Sequence, residues 1–422
     1  MQTAIMSPFA RTIVAVTPVP LDRDSRTLKQ AHSLAAVGYR SLVVAAGRLF
    51  EVCADGEIPI TQEALLSAPS VTERRMDGLR RANMPWLLHA GLFVGWLGVY
   101  GIRSILRPLR RLPYADLYIL HECSAYPAVA LRARPARARF IYDAHDFYSA
   151  IEPEARQAIF DRRFVAPFIR MLERRAMRHA AAVITVSDGL ARCLAQAYGR
   201  TAFVIRNAHD ARLDRQQVPE LRERFGLTGS ELVLVTVGNA KRGQALEQAI
   251  ATLARLPARV HWVFVGSGYE TLLPLARFEG VASRVHLTGR LRPDEIVPTM
   301  RDADAAVVLY YAYSDNYRYA LPNGFFQAMA AGLPQIVPPL PEIRHIALEY
   351  GFGMEANPLD PSSLEAAIGR LVDDPDLCAS LAKAAGVAYS DLSWPVEEAR
   401  FLNVVRSILD MGPTALSRPQ LL

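Results

Sequence analysis

Hydrophobic and polar positions form two successive series along the chain, each made of short apolar runs separated by amphipathic segments. The runs have the length of buried strands, and the segments between them carry apolar residues at helical spacing. Strands that alternate with helices form parallel sheets, so the pattern predicts an α/β protein of two doubly wound domains. The predicted strands are TIVAVT, SLVVAA, DLYILH, RFIYDA, AAVITV and AFVIRN in the first series, then LVLVTV, VHWVFV, RVHLTG, AAVVLY and PQIVP.

A polar stretch at residues 205–219, IRNAHDARLDRQQVPE, separates the two series. It predicts a first domain over residues 1–209 and a second over 210–394, with a last helix (395–411) that runs back to the first domain. Ligands of such sheets bind beyond the carboxyl ends of the strands, so a cleft between the two domains is the expected ligand site.

Residues 82–102 contain no charged side chain, and arginines flank them on both sides. The length approaches the roughly 20 residues that a membrane span needs. The segment is a poor membrane span because it contains Pro85, His89 and several glycines. The arginines at both ends do not indicate which end would face the cytoplasm. Two interpretations stay open. Either residues 82–111 dip into the inner leaflet with arginines on phospholipid headgroups, or the segment is a buried helix of the first domain.

Composition limits which cellular compartment and which binding partners are expected for the protein. Half of the 422 residues are hydrophobic, which is enough for full cores, and the four cysteines lack metal-type or CxxC spacing. A reducing, cytoplasmic location is expected, because the N-terminus runs into a strand without a signal cleavage site. The net charge of +6 suits a partner with phosphates, a nucleotide or an anionic membrane. No nucleic-acid partner is expected.

An anion site is predicted in TVGNAKRGQALEQAI. A strand ends at Gly238, Asn239 follows, and Lys241 and Arg242 come before a helix predicted to begin near Gly243. Two cations beside free helix N–H groups attract a phosphate. The spacing of a P-loop is absent, and a solvated basic turn is the alternative.

The stretch VFVGSGYETLL begins like a dinucleotide-binding fingerprint but does not complete it. Gly266 and Gly268 match, whereas Thr271 stands where a third glycine should allow close helix packing. NAD binding is therefore disfavoured, and the glycines predict a tight turn that faces the cleft.

Polar residues follow two predicted strands. His121 and Glu122 end DLYILHE, and Asp143, His145 and Asp146 end RFIYDAHD. The carboxyl ends of neighbouring strands share one edge of the sheet, so these side chains are either part of the cleft or ordinary loop residues.

The DxD of PLDRDSRTL raises the question of a divalent metal. Asp22 and Asp24 alone supply too few oxygen ligands for such an ion. Asp24 is better explained as the cap of a helix that starts near Ser25. No metal is expected.

Residues 316–334, NYRYALPNGFFQAMAAGLP, predict a helix too short to be stable alone. Phe325, Phe326 and Met329 fall on one face at helical spacing, and the amide of Gln327 is expected on the opposite, polar face.

Taken in order, these motifs resemble the retaining glycosyltransferases of family 4, over nearly the whole chain. The resemblance implies the GT-B fold of two Rossmann-like domains that face each other across a cleft. It is carried by TPVPLDRDSRTLKQAHSLAAVGY, YDAHDFYS, AVITVSDGLARCL, VIRNAHD, VGNAKRG, VFVGSGYE, RVHLTGRLRPDEI, DADAAVVLYY and YALPNGFFQAMAAGLPQIV.

The resemblance also implies roles for single residues. Arg242, with Lys241, would neutralise the leaving diphosphate, and His145 would approach the transferred sugar or the acceptor hydroxyl. Helix dipole and cations then replace a metal, so no cofactor is implied. Other implied sugar-donor residues are Gly238, Asn239, Gly266, Leu321, Pro322, Asn323 and Gln327. The acceptor-side residues are Asp24, His121, Glu122 and Asp146.

Two departures from the family pattern stand out. Members usually carry two glutamates eight positions apart where this chain has Tyr319 and Gln327, and many have arginine where Asn239 stands. The neutral Gln327 predicts a looser nucleotide site.

The first functional hypothesis is a bacterial transferase on the inner face of the cell membrane. It would move a hexose from a nucleotide sugar to a lipid-linked glycan, in surface polysaccharide or glycoconjugate assembly. The alternatives are a non-catalytic GT-B binding protein of the same pathway and, with less support, a GT-B epimerase acting on UDP-N-acetylglucosamine. The sugar, the base and the acceptor are not specified by the sequence.

Overall fold

The computed structural model describes residues 11–21, 24–53, 86–148, 160–215 and 217–411. Asp22 and residues 82–85 of the apolar segment lie outside this part of the chain. The chain forms two compact units. The first comprises residues 1–185, 191–205 and 398–422, and the second comprises 186–190 and 206–397.

The first unit contains a seven-stranded sheet in the order β3-β2-β1-β4-β5-β6-β7. All its neighbouring strands are parallel except β3, which pairs antiparallel with β2 at the edge. The central strands are apolar runs buried on both faces, as expected for a parallel sheet. The strands are β1 Thr12–Thr17, β2 Arg40–Ala45, β3 Arg48–Val52, β4 Leu117–Leu120, β5 Arg139–Asp143, β6 Ala182–Thr185 and β7 Phe203–Val204.

Helices cover this sheet. The α-helices of the first unit are Ser25–Ala36, Trp86–Tyr100, Arg107–Arg111, Tyr126–Ala136 and Ala166–His179, and Gly101–Leu106 and Asp161–Val165 are π-helical turns. Two further helices, Asp188–Tyr198 and Trp394–Asp410, contain residues of both units. Arg139 of β5 donates hydrogen bonds to the carbonyl oxygens of Ile408 and Met411, which ties the end of the last helix to the first unit.

The second unit contains a six-stranded, fully parallel sheet in the order β10-β9-β8-β11-β12-β13. Its strands are β8 Leu232–Val237, β9 Val260–Val265, β10 Val285–Gly289, β11 Ala305–Val307, β12 Gln335–Val337 and β13 Gly353–Glu355. Its α-helices are Leu221–Phe225, Leu246–Arg255, Leu273–Phe278, Ile296–Thr299, Asp315–Arg318, Asn323–Ala330, Pro341–Glu349, Pro361–Asp373 and Pro375–Leu392.

The described part of the apolar segment is helical from Trp86 and has two different faces. Phe93 and Trp96 pack against Phe168 of a neighbouring helix, with ring centres 6.3 Å and 5.7 Å apart. Val94 and Leu88 are 69% and 58% exposed on the other side. No helix within the described ranges is both long enough and apolar enough to cross a bilayer.

Candidate functional site

In the second unit, the loops after β8 and β9 meet through two glycines. Gly238 and Gly266 both have positive φ, +125° and +143°, and a Cβ on Gly266 would overlap the carbonyl oxygen of Gly238. The Oδ1 of Asn239 accepts hydrogen bonds from the backbone N and the Oγ of Ser267, at 3.1 Å and 2.8 Å. Three of the predicted sugar-donor residues are therefore adjacent, and Ser267, which was not predicted, joins the two loops.

The two predicted cations lie over tyrosine rings. Lys241 Nζ is 5.1 Å from the ring centre of Tyr310 and 5.6 Å from that of Tyr317. Arg242 Cζ is 4.0 Å from the ring centre of Tyr313. A cation within about 6 Å of an aromatic face is attracted by the ring. The tyrosines thus hold both exposed cations beside the loop after β8.

The helix predicted to begin near Gly243 begins at Leu246. Gly243 has φ +88°, and Gln244 forms an isolated antiparallel bridge with Tyr310. The Oε1 of Gln244 also accepts from the backbone N of Lys241 at 3.0 Å. The bridge to Tyr310 and the turn around Gly243 keep the chain non-helical past the cations, so the prediction that a helix start follows them directly was wrong.

The short helix Asn323–Ala330 begins next to the end of β8. A Cβ on Gly324 would come within 2.5 Å of the carbonyl oxygen of Val237, so only a glycine allows this approach. The side-chain amide of Asn207 donates to Asn323 Oδ1. Backbone N–H groups at a helix N-terminus are available for an anion. Residues 321–323 therefore lie at the same sheet edge as the two glycine loops.

Gln327, whose amide the sequence places on the polar face of the helix, is buried. It is 8% exposed, and Phe325, Phe326 and Met329 are buried as predicted. The helix packs against both β8 and the helix Pro375–Leu392, and the five residues from Phe325 to Met329 are all buried. The amide is thus held inside the unit, one turn beyond Asn323.

At the position of the family's first glutamate, Tyr319 has a packing role. Its carbonyl oxygen accepts a hydrogen bond from Ser187 Oγ at 2.7 Å. A Cβ on Gly189 would clash with its ring, so the ring lies directly on that glycine. Glu342 Oε1 accepts from the backbone N of Gly189 at 2.6 Å.

In the first unit, Asp24 caps the helix Ser25–Ala36, as the sequence predicted. Its Oδ1 accepts from the backbone N of Thr27 at 3.0 Å, and its Oδ2 accepts from the hydroxyls of Thr27 and Thr17 at 2.6 Å and 2.8 Å. Burial alone would raise its pKa, but the nearby His121 and the Thr27 hydrogen bonds lower the pKa of Asp24 below its usual value.

Asp143 is the centre of a buried polar cluster at the ends of β4 and β5. Its Oδ2 accepts from Arg26 Nε at 2.7 Å and from Gln30 Nε2 at 2.8 Å, and His121 Nδ1 lies 3.3 Å from the same oxygen. Asp143 and His121 are completely buried, and Arg26 is 3% exposed. Burial opposes ionisation, but Arg26 and His121 hold the pKa of Asp143 far below its usual range.

His145 lies beside this cluster and is 26% exposed, with its Nδ1 3.9 Å from Asp143 Oδ1. Burial would lower its pKa, yet the carboxylates of Asp146, Asp143 and Asp24 raise the pKa of His145. Burial also raises the pKa of Glu122, and His145 offsets part of that rise. A partly open histidine among carboxylates can exchange a proton near neutral pH.

Among the described residues, His121, Asp143 and His145 each bring one possible metal-ligand atom within 4.8 Å of the others. Asp143 already shares its carboxylate with the guanidinium of Arg26. A metal ion here would lie close to that fixed positive charge, which disfavours it. The prediction of a metal-free site stays a prediction.

Several residues of both clusters were not predicted as site residues: Arg26, Gln30, Ser267, Tyr310, Tyr313 and Tyr317. One sequence signal for Arg26 and Gln30 was available. Both residues are polar and four positions apart on a predicted helix, so they lie on the same face of that helix. A second was the density of tyrosines in LYYAYSDNYRYA.

Two family models match the chain. The model described as a glycosyl transferase 4-like domain matches residues 24–208, and the one described as glycosyl transferases group 1 matches residues 231–374. Together they account for most of the chain.

Two curated relatives come from Streptomyces kanamyceticus. Alpha-D-kanosaminyltransferase is 26% identical over 235 residues, which is 53% of this chain and 59% of the relative. 2-Deoxystreptamine glucosyltransferase is 26% identical over 365 residues, which is 82% of this chain and 89% of the relative. The chain therefore spans less than two thirds of the first relative and most of the second.

Solved structures share the fold. Sucrose-phosphate synthase from Thermosynechococcus elongatus has a TM-score of 0.69 at 16% identity, with 95% of this chain and 100% of that chain covered. Anabaena Alr3699/HepE in complex with UDP-glucose has a TM-score of 0.63 at 16% identity, with 94% and 100% covered. From these family matches and this shared fold, the chain belongs to the glycosyltransferases of the family 4 type, with the GT-B fold.

Proposed function

We propose that this protein is a retaining hexosyltransferase whose second unit binds a nucleotide-diphosphate sugar. The observation that carries the proposal is the convergence of three features at one edge of the second sheet. They are the paired glycine loops after β8 and β9, the cations Lys241 and Arg242, and the start of the helix Asn323–Ala330. Backbone N–H groups, a helix dipole and two cations are the groups that bind a diphosphate. The UDP-glucose in the Anabaena structure supports a sugar donor of this class.

The proposed reaction retains the anomeric configuration. The acceptor oxygen bonds to C1 of the sugar on the face from which the C1–O bond to phosphate breaks, and the departing phosphate oxygen takes the acceptor's proton. Negative charge grows on the diphosphate during this step, so Arg242 and Lys241 stabilise the transition state more than the ground state. This requires no metal.

The first unit is assigned to the acceptor. Asp24, His121, Glu122, Asp143 and His145 surround one sheet edge with hydrogen-bonding groups, which suit a sugar hydroxyl. His145 is the only ring of this group that is partly exposed among the described residues, and it is the residue proposed to contact the transferred sugar or the acceptor hydroxyl.

The proposed acceptor is a lipid-linked glycan at the inner face of a bacterial cell membrane, as in surface polysaccharide or glycoconjugate assembly. The exposed apolar side chains of the helix Trp86–Tyr100 support this, because large apolar groups on a surface mark contact with a partner or a bilayer. Residues 82–111 are the proposed membrane contact, and the protein is assigned to the cytoplasmic side.

A second acceptor class is a small hydrophilic molecule. It is favoured by the name of the second relative, a 2-deoxystreptamine glucosyltransferase, whose match covers 82% of this chain.

The test begins with a thermal-shift screen against UDP-, GDP- and dTDP-sugars. Release of nucleoside diphosphate from the stabilising sugar donor is then measured with a lipid-linked glycan and with an aminocyclitol as acceptor. We expect release to depend on the lipid-linked acceptor, whereas dependence on the aminocyclitol favours the second class. Binding without release in any mixture supports a non-catalytic protein, and interconversion of two nucleotide sugars supports an epimerase.

A further inference from the structure

All six arginines of the helical run 161–179 are exposed, and both of its acids are buried. Asp161 is 7% exposed and Glu173 is fully buried, where its Oε2 accepts from Tyr198 OH at 2.5 Å. The exposed arginines are Arg162, Arg163, Arg170, Arg174, Arg175 and Arg178.

Three of these arginines repeat at four-residue intervals: Arg170, Arg174 and Arg178. Residues at this spacing are neighbours on a helix surface, and like charges there repel one another. Within the described part of the chain, no carboxylate lies within ion-pair distance of any of the three. The three guanidinium groups therefore repel one another in the folded protein, and an anionic partner would reduce this repulsion.

The arginine-bearing helix is packed directly against the apolar helix. Phe168 meets Tyr100 edge to face at 5.1 Å between ring centres, and Phe93 lies 5.3 Å from Phe164. The rings fill the contact between the two helices, so the helix with the arginines and the helix with the exposed aliphatic side chains lie side by side in the first unit.

The outer face of the apolar helix and of the π-helical turn after it exposes large aliphatic side chains. They are Leu88, Val94, Ile102 and Leu106, each between 49% and 69% exposed. A surface with aliphatic groups beside a row of arginines matches the interface of an anionic bilayer, whose acyl chains and phosphates it would contact together. RNA would use the arginines but would leave the aliphatic groups in water.

We propose that Arg170, Arg174 and Arg178, together with Leu88, Val94, Ile102 and Leu106, form one docking face for an anionic phospholipid bilayer. This inference rests on the proposed membrane association and adds the second helix to it. The aliphatic groups enter the headgroup region, and the arginine row binds lipid phosphates. The docking face therefore distinguishes anionic from zwitterionic membranes.

The test is sedimentation of the full chain with vesicles of phosphatidylcholine, with and without phosphatidylglycerol. Each arginine near an anionic surface contributes about fivefold in partitioning at low salt. The triple variant Arg170→Gln, Arg174→Gln, Arg178→Gln should thus bind anionic vesicles on the order of 100-fold more weakly. A matched control carries the same Arg→Gln change at Arg277, Arg370 and Arg406, which are also exposed. It should bind like the wild type. Donor hydrolysis is expected to be unchanged in both.

A second variant tests the aliphatic part of the docking face: Leu88→Ser, Val94→Ser, Ile102→Ser. We expect it to lose binding to both kinds of vesicle, with the residual binding fully sensitive to salt. If this variant loses binding while the triple arginine variant binds like the wild type, the proposed role of the three arginines is wrong, and the membrane association is still supported. If the wild-type protein does not bind anionic vesicles, both the docking face and the membrane association are wrong, whatever the transferase activity. If the protein binds a single-stranded RNA more tightly than anionic vesicles, and the triple arginine variant loses this binding, the partner is not a bilayer.

Discussion

Arg242 is exposed, and its guanidinium carbon lies over the ring of Tyr313, 4.0 Å from the ring centre. If it stabilises the charge that grows on the leaving diphosphate, Arg242→Ala should lower turnover by roughly 10²-fold, as for the loss of one preorganised stabiliser. Stability should barely change, because the side chain is on the surface. Steady-state release of nucleoside diphosphate measures the effect.

The variant Tyr313→Leu is the matched control for this prediction. It removes the ring and keeps the cation, so turnover should fall by less than in Arg242→Ala, while Tyr313→Phe should keep most of the activity. Wild-type turnover in Arg242→Ala, with intact binding of the sugar donor, would remove this residue from the phosphate site.

His145 links the candidate site to pH. Its pKa is raised by Asp146, Asp143 and Asp24 against burial and against Arg26, which lower it. A histidine whose folded-state pKa lies above its unfolded value, about 6.5, adds stability at low pH. That contribution is complete below the unfolded pKa and disappears as pH rises through the folded-state pKa.

We therefore expect His145→Gln to destabilise the protein more at pH 6 than at pH 9. Denaturant midpoints of wild type and variant at both values measure this difference, and titrations of groups remote from His145 cancel between the two proteins. An equal loss at both pH values would mean that His145 does not gain its proton in the folded state.

Gln327 tests how the chain departs from its family. A glutamate here would accept hydrogen bonds from ribose hydroxyls through a charged group, each worth about 1.5–3 kcal/mol. The amide offers only one acceptor oxygen. Gln327→Glu should bind ribose-containing sugar donors up to about tenfold tighter, as measured by calorimetry. Because the residue is 8% exposed, thermal unfolding without ligand must be compared as well. Unchanged affinity in Gln327→Glu and in Gln327→Ala would exclude the residue from the site.

The limits of sequence-based prediction are visible at the residue scale. Asp24 was identified as a helix cap because its partner, Thr27, is three positions away. The cluster around Asp143 was not, because Arg26 is 117 positions away and Gln30 is 113. No local pattern encodes such contacts.

At the scale of elements, strands made of continuous apolar runs were predicted within a residue or two, as for Thr12–Thr17 and Leu232–Val237. Their buried pattern is set locally. The edge strands Arg48–Val52 and Gly353–Glu355 were missed, because a short strand is defined by its pairing with a neighbour. The late start of the helix at Leu246 has the same origin, since Gln244 pairs with Tyr310, a residue far along the chain.

The contact between the short helix and β8 gives an element-scale prediction. Gly324→Ala would force the helix start away from the Val237 carbonyl, which a Cβ would approach to 2.5 Å. We expect lower stability and weaker binding of the sugar donor together, because the displaced helix carries the N–H groups that we propose to bind the diphosphate. Denaturant unfolding and calorimetry measure the two effects.

Gly369→Ala is the matched control, since Gly369 lies within the helix Pro361–Asp373 and a Cβ there meets nothing within 4 Å. This variant should be stabilised by about 0.5–1 kcal/mol, with unchanged binding of the sugar donor. Equal behaviour of the two alanine variants would show that the close approach of Gly324 to β8 is not needed.

At the scale of the whole molecule, the polar clusters of the two units carry different charged groups. The edge of the second sheet carries Lys241 and Arg242, whereas the polar cluster of the first unit places Asp24, Asp143 and Asp146 near His145, with Arg26 on Asp143. Cations at the leaving group and acceptors at the incoming hydroxyl are the polarity that sugar transfer from a diphosphate needs. The net charge of +6 alone would not have revealed this division.

This division predicts that a chelator leaves the transfer reaction unchanged. Two fixed cations and a helix N-terminus can neutralise the diphosphate without a divalent ion. Turnover measured after dialysis against EDTA should therefore equal that of untreated protein. If activity is lost and Mg²⁺ or Mn²⁺ restores it, the Asp22–Asp24 pair returns as a candidate ligand set. If only a softer ion such as Zn²⁺ restores it, and His121→Ala abolishes that rescue, the ion belongs to the grouping of His121, Asp143 and His145, because imidazole ligands favour transition metals.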